Sequence, residues 1–364
     1  MSLRVGIPAA IVALLAVALS ACGASAQNPG ADLDTGGRAA RTASAGAVLP
    51  GARVLPGAQV ASGGRAVAGA PCGTAAAEVL ATSAGAVARR IYAGEVGGTA
   101  TIADKHQVER YAPLLEAIAA GNRSAVKAAV TSLVFSHTHL VRLRVTHGST
   151  VLADVGGPYI LAPVTGTLRL HGRALARYVM SVQDDLGYVK LVTRFIGAPI
   201  VLRAGSHAIP IEGVLTPGPA SIPTHGPVTY RHTAYEAYSF DGTAFPSGSL
   251  RVSLLLPVPS SLSKLSCAEI ETAELGIVAQ RISRRFPHLS PASLPPYTRL
   301  TRTLTGGLVY VRSGSRQLAG STSPGPSRLP DRGSVRYRGR TYGVSSFSTR
   351  TSVGQVRVYL LVRA

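Results

Sequence analysis

The chain has 364 residues, more than one core of ordinary size holds, so two or three modules are expected. Its 46% hydrophobic residues, 40 Gly, 24 Pro and lack of Trp suit a turn-rich β protein with loose segments. The formal net charge of +20 is spread along the chain, without RNA-binding aromatics, zinc-finger spacing or a helix-turn-helix. That argues against nucleic acid and for anionic lipid or cell-wall polymer as what the charge meets.

Arg4 precedes an apolar run from Val5 to Leu19 that is too short to span a bilayer and is followed by small residues. It closes with Leu19-Ser20-Ala21-Cys22, which resembles the bacterial lipobox. The resemblance implies a signal peptide over 1–21, diacylglycerol on the Cys22 thiol, and a place on the extracytoplasmic face of the cell membrane. Residues 22–70 are Ala, Gly, Pro and Ser with isolated Arg and Asp, too little apolar surface to fold. They read as a disordered tether with a reach of roughly 35–40 Å. Cys72 and Cys267 remain, and in an exported chain two thiols are expected to pair.

A helix is expected after Cys72, with Leu80, Ala84, Val87 and Ile91 on one stripe. A second is expected from a cap at Asp104, burying Tyr111, Leu114, Leu115 and Ile118, and a third over 123–134 shows Val126, Val130 and Leu133. A fourth opens at the capping box Ser266-Cys267-Ala268-Glu269 and carries Leu275, Val278, Ile282 and Phe286, with Pro287 as its stop. Val278-Ala279-Gln280-Arg281-Ile282 echoes Val87-Ala88-Arg89-Arg90-Ile91, and parallel packing of those two helices would bring Cys72 to Cys267.

Between the helices one pattern occurs three times, over 139–195, 199–257 and 307–363. Each copy has an apolar run into Gly-Ser (Gly148, Gly205, Gly314), a loop, and a turn at His171-Gly172, Arg231-His232 or Arg338-Gly339. Each ends on Gly187-Tyr-Val-Lys-Leu, Gly248-Ser-Leu-Arg-Val or Gly354-Gln-Val-Arg-Val. Gly at tight turns and β-branched runs between them predict a five-strand meander used three times. The expected organisation is α+β: helices plus a first module over 71–199, a second meander over 200–258, and a helix plus third meander over 259–364.

Val151-Leu152-Ala153-Asp154-Val155-Gly156-Gly157 and Ser181-Val182-Gln183-Asp184-Asp185-Leu186-Gly187-Tyr188 resemble the Cache domain, a PAS-like extracellular sensor. The third copy, through Gly339-Arg340-Thr341-Tyr342 to Val356-Arg357-Val358, is similar to the membrane-side half of a double Cache module. The resemblance covers roughly residues 72–364. It implies a solute pocket between the sheet and the long loop 156–165, with Asp154 and Tyr159 flanking that loop. Most members continue into a membrane helix and an output domain, whereas this chain ends at Ala364 after its last strand. Output would then pass through a membrane signalling or transport partner.

Within the first module Arg177, Ser181 and Gln183 alternate on one strand face, so all three either meet a ligand or do not. An inward Arg177 would clamp a carboxylate bidentately. Asp184-Asp185 is the one adjacent acidic pair, suited either to a cation at the pocket rim or to an Asp-Asp-Leu-Gly hairpin turn. His137, His139 and His147 lie close in sequence but lack a carboxylate or thiol beside them, so no metal is expected. No Gly-x-Ser-x-Gly, HExxH, Walker loop or supported Ser-x-x-Lys is present, so neither catalysis nor a cofactor is expected. The sequence thus reads as a lipid-anchored binder or sensor of a small organic acid or amino acid. The alternative is a structural envelope protein that holds anionic polymer or lipid on a basic surface.

Overall fold

The computed structural model describes residues 70–364 apart from 138, 206, 210–217, 220, 287, 288 and 353, and apart from the side chain of His137. The signal peptide, Cys22, Pro287 and all but the last residue of the tether lie outside the described residues. Among the described residues no helix is long and apolar enough to cross a membrane.

Helix α1 (Ala76–Gly97) forms on the expected stripe, with Leu80, Ala84, Val87 and Ile91 all buried. α2 (Thr99–Arg110), α3 (Ala112–Ala119) and α4 (Arg123–Ser132) follow. Asp104 does not cap a helix; it is buried inside α2, and the chain breaks instead at extended Tyr111. Pro113 in the first turn of α3 needs no N–H donor there, which accounts for the restart. α4 is capped by Asn122, whose side chain accepts the Ala125 N–H at 3.0 Å.

The first copy supplies β1 (Arg142–His147), β2 (Thr150–Gly156), β3 (Ile160–Leu161), β4 (Val164–Leu170), β5 (Arg173–Ser181) and β6 (Gln183–Asp184). Its sheet has only four strands, in the order β2-β1-β5-β4. The expected closing strand at Gly187 is a helix, α5 (Asp185–Ile196). Asp184 accepts the Gly187 N–H as its cap, and Tyr188, Val189, Leu191, Val192, Phe195 and Ile196 recur at helical intervals, all buried. β5 therefore pairs directly with β1. One face of this sheet, with Leu143, Val145, Leu168, Tyr178 and Met180, packs with Leu114, Val126, Val130 and Leu133 into a core of its own.

The second copy forms β7 (Ile200–Ala204), β8 (His207–Ala208), β9 (His225–Tyr230), β10 (Thr233–Phe245) and β11 (Gly248–Pro257). α6 (Cys267–Ser283) carries the complete capping box, and α7 (Leu294–Thr305) follows it. The third copy forms β12 (Leu308–Ser313), β13 (Arg316–Gly320), β14 (Arg332–Tyr337), β15 (Arg340–Thr351) and β16 (Gly354–Arg363). Both sheets run in the same order, β8-β7-β11-β10-β9 and β13-β12-β16-β15-β14.

These two meanders share one core with α1, α5, α6 and α7. α1 lies on β10 and β11, and α6 lies on β15 and β16. The correspondence reaches single residues. Gly85 of α1 sits so close to Tyr238 of β10 that an added Cβ would lie 2.5 Å from its Cε1. Gly276 of α6 has the same relation to Ser345 of β15, with 2.8 Å to its Cβ. Only glycine lets helix and strand approach so closely. α1 is thus the leading helix of the second meander, not of the first, and this corrects the grouping of 71–199 as one module. The chain leaves α1, builds α2–α4 and the first sheet as an insertion, and returns through α5. Cys72 and Cys267 are disulfide-bonded with Cα atoms 4.8 Å apart, tying the start of α1 to the start of α6.

Candidate functional site

The pocket expected in the first module is filled. β5 turns Ala176, Tyr178 and Met180 into the core, with Tyr178 Oη donating to Glu109 Oε1 at 2.9 Å, so the alternate residue Arg177 points to solvent. The inward Arg177 is therefore corrected. Ser181 shares its face but is buried where the 156–165 loop crosses, donating to Leu161 O at 2.5 Å. That loop belongs to the second sheet rather than to the first. Its β3 segment joins the second sheet, pairing Leu161 with Ala244 and Ile160 with Phe245, and β6 pairs on its other side.

The remaining expected contacts are engaged within the protein. Gln183 is buried and donates to Asp184 O at 3.2 Å. Asp184-Asp185 is neither a hairpin turn nor a free rim: Asp184 caps α5, and Asp185 Oδ1 accepts the Leu186 N–H at 2.9 Å. Burial pushes the Asp185 carboxyl above its ordinary range. Tyr159 packs half-buried against the shared core. Asp154 accepts both Arg142 (Nε 2.8 Å, Nη2 2.8 Å) and Arg144 (Nε 2.8 Å, Nη2 2.5 Å), and although burial opposes it, these bonds hold its carboxyl below the ordinary range. Both guanidiniums lie over the Phe245 ring, at 4.9 and 4.2 Å from its centroid. These residues brace the insertion against β10. His147 Nδ1 lies 2.7 Å from Leu175 O, and among the described residues no group of three His, Cys, Asp or Glu is placed to hold a metal ion.

The third sheet carries a different concavity. Its face away from α6 presents Tyr310, Tyr342 and Tyr359 with Val344 and Leu361. At the β14–β15 end, Leu308, Thr322, Tyr337, Arg338, Arg340 and Tyr342 line a cleft of about 320 Å³. A hydroxyl chain runs along it: Tyr310 Oη and Thr322 Oγ1 are 2.7 Å apart, Thr322 Oγ1 and Tyr337 Oη 2.9 Å, and Tyr337 donates to Pro324 O at 2.8 Å. Because a carbonyl only accepts and each hydroxyl has one proton, the donors run from Tyr310 to Thr322 to Tyr337. Burial pushes the Tyr310 hydroxyl up to about 12, while the Thr322 hydrogen bond lowers that of Tyr337. Arg338 lies over the Tyr337 ring, 5.2 Å from its centroid. The cleft is thus lined by tyrosine rings and two arginine side chains, with the hydroxyl protons spent within the chain itself. Sequence reading passed over these residues, although the signal was present in Tyr337-Arg338-Gly339-Arg340, which repeats the turn Tyr230-Arg231-His232.

No family model matches the chain, and no curated protein matches it. Among solved structures, the periplasmic domain of Vibrio cholerae LuxQ aligns over 79% of this chain and 98% of that one, with 7% identity and a TM-score of 0.14. A likeness that weak carries no argument about fold or function.

Proposed function

We propose that the protein is a non-enzymatic binder of a small organic acid or amino acid, held outside the cytoplasm by lipid on Cys22, which acts through a membrane partner. The lipobox-like Leu19–Cys22 supports the anchoring, and the Cys72–Cys267 disulfide supports an oxidising compartment. The observation that carries the binding is the third-sheet cleft, whose lining combines Arg338 and Arg340 with Tyr337 and Tyr342. Its volume lies at the small end of ligand sites, which suits a solute of amino-acid size. Arg340 would take the carboxylate and the tyrosines the body of the solute.

A thermal-shift screen of organic acids and amino acids against the full chain tests this. At least one should raise the melting temperature, and Arg340→Ala and Tyr342→Ala should each remove the shift while Arg177→Ala leaves it. A screen without any stabilising solute, or a shift that persists in Arg340→Ala, defeats the proposal.

A further inference from the structure

The second and third meanders share a strand order but not a charge. Over 307–363 ten arginines stand against one acid, Asp331, whereas over 199–257 three arginines stand against three acids. Asp331 is itself engaged, 2.6 Å from Arg357 Nη1. The neutral copy builds the same sheet, so the sheet does not call for the excess.

Much of that excess gathers on the β14–β15 hairpin. Arg336 and Arg340 flank the turn at Arg338-Gly339, Arg363 stands opposite Tyr342 on the neighbouring strand, and Arg332 extends the row along β14. All five are exposed, and among the described residues none of them forms an ion pair. The corresponding residues of the β9–β10 hairpin are His225, Thr229, Arg231, Thr233 and Pro257. Only Arg231 recurs there, lying over Tyr230 as Arg338 lies over Tyr337. The β4–β5 hairpin of the insertion keeps Arg169 and Arg173, and Arg169 donates to Gly172 O at 3.2 Å.

The five arginines surround the hairpin. Arg340 and Arg363 lie on the face of Tyr342, because residues directly opposite in a ladder point the same way. Arg332 and Arg336 alternate with Val335 and Tyr337 and so lie on the other face, that of Gly343 and Ser345, which α6 covers further in. Arg338 joins the two faces at the turn. A flat anionic surface meets one face at a time, whereas a flexible chain can pass round the tip and meet both. The large apolar side chains exposed among the described residues all lie outside 307–363, so none stands here to enter a bilayer.

We propose that the β14–β15 hairpin binds a linear polyanion, a chain of repeated phosphate groups. Each guanidinium presents a planar fork to an oxyanion, and such a chain repeats the oxyanion along its length. Several weak contacts on one chain then add as avidity. This site does not rest on the solute reading of the third-sheet cleft, with which it shares Arg338 and Arg340.

The test is titration calorimetry of long-chain polyphosphate, and separately of orthophosphate, into the full chain over a range of salt. The key variant is Arg332→Thr/Arg336→Thr/Arg363→Thr, at three exposed positions that do not line the third-sheet cleft. Arg336→Thr alone, which installs the residue of the β9–β10 hairpin, is the second variant. The charge-matched control is Arg169→Thr/Arg173→Thr/Arg177→Thr, on the hairpin of the insertion. Polyphosphate should bind wild type more tightly per phosphate than orthophosphate, with affinity that falls as salt rises. Arg336→Thr should weaken binding about threefold, the triple variant more than about tenfold, and the control less than about twofold. Absence of polyphosphate binding, or equal weakening in the control and the triple variant, overturns the proposal. So does co-sedimentation with phosphatidylglycerol vesicles that needs the same three arginines and is not competed by polyphosphate, which would assign the hairpin to a membrane surface. If the triple variant does not fold, Arg336→Thr decides, and wild-type affinity in that protein overturns the proposal. Arg340 and Tyr342 are untouched in these variants, so a thermal shift by a small acid should persist in them, and either reading can fail without the other.

Discussion

Glu95 lies near the C-terminal end of α1, where the chain leaves the shared core for the insertion. It is 8% exposed, its backbone carbonyl accepts the Thr101 hydroxyl at 2.7 Å, and its charge acts on the buried Tyr188. Desolvation raises its carboxyl from the ordinary 4.5 to about 7. A folded value above the unfolded one means that the folded protein holds the proton more tightly. The stabilisation is complete below 4.5 and is lost as pH rises through about 7. The interval corresponds to about 3 kcal/mol, or roughly 6 °C in melting temperature for a fold of this size. Glu95→Gln, which imitates the protonated acid, should melt close to wild type at pH 4.5 and about 6 °C above it at pH 8. Calorimetric melts of both proteins from pH 4 to 8.5 give the difference curve. Asp104, Glu236 and Glu271, also raised by burial, affect both proteins alike and cancel in that difference. A difference that stays constant across pH would refute the reasoning.

Two further outcomes follow from the packing. The Cys72–Cys267 bond closes an interval of 195 residues, for which chain entropy gives about 5 kcal/mol before native strain is subtracted. Cys267→Ser should lower the melting point accordingly, and non-reducing peptide maps of wild type should contain the linked peptide; free thiols at both positions would sink this. Gly85→Ala should destabilise by about 1–3 kcal/mol in denaturant melts, because the Tyr238 ring cannot give way within the core. Gly276→Ala should cost less and be rescued by Ser345→Gly, since its neighbour is a single small side chain. Equal effects at the two glycines would sink the expected dependence on the neighbouring side chain.

Much of the secondary structure was legible in local pattern. The stripe of α1, the Ser266 capping box, the meanders of the second and third copies and the echo between Val87–Ile91 and Val278–Ile282 all reflect short-range periodicity. What failed was reading by analogy between copies. Gly187-Tyr-Val-Lys-Leu matches the strand starts at Gly248 and Gly354 in type, yet Asp184 caps a helix there and Phe195-Ile196 extend its apolar stripe. Eight more residues of context decide it, because period two and period 3.6 agree over so short a span. Likewise, no local signal says that α1 belongs to a meander beginning about a hundred residues later, since that pairing depends on tertiary contact.

The expectation of a pocket in the first module fails for a related reason. Alternation put Arg177 and Ser181 on one face but could not say which face the helices cover, and Tyr178 and Met180, being the bulkier apolar pair, take the core side. Asp154 was read as available because its partners Arg142 and Arg144 sit on the neighbouring strand, a relation that register alone reveals. The pairing of Arg90 with Arg281 shows the same limit from the other side. Each donates to a carbonyl in the last turn of a short helix, Leu304 and Ile196, just before a left-handed glycine. Five residues separate each arginine from Gly85 or Gly276, but that spacing acquires meaning only once the helix ends stand beside it. An internal copy thus supplies a reference that no single stretch of sequence contains.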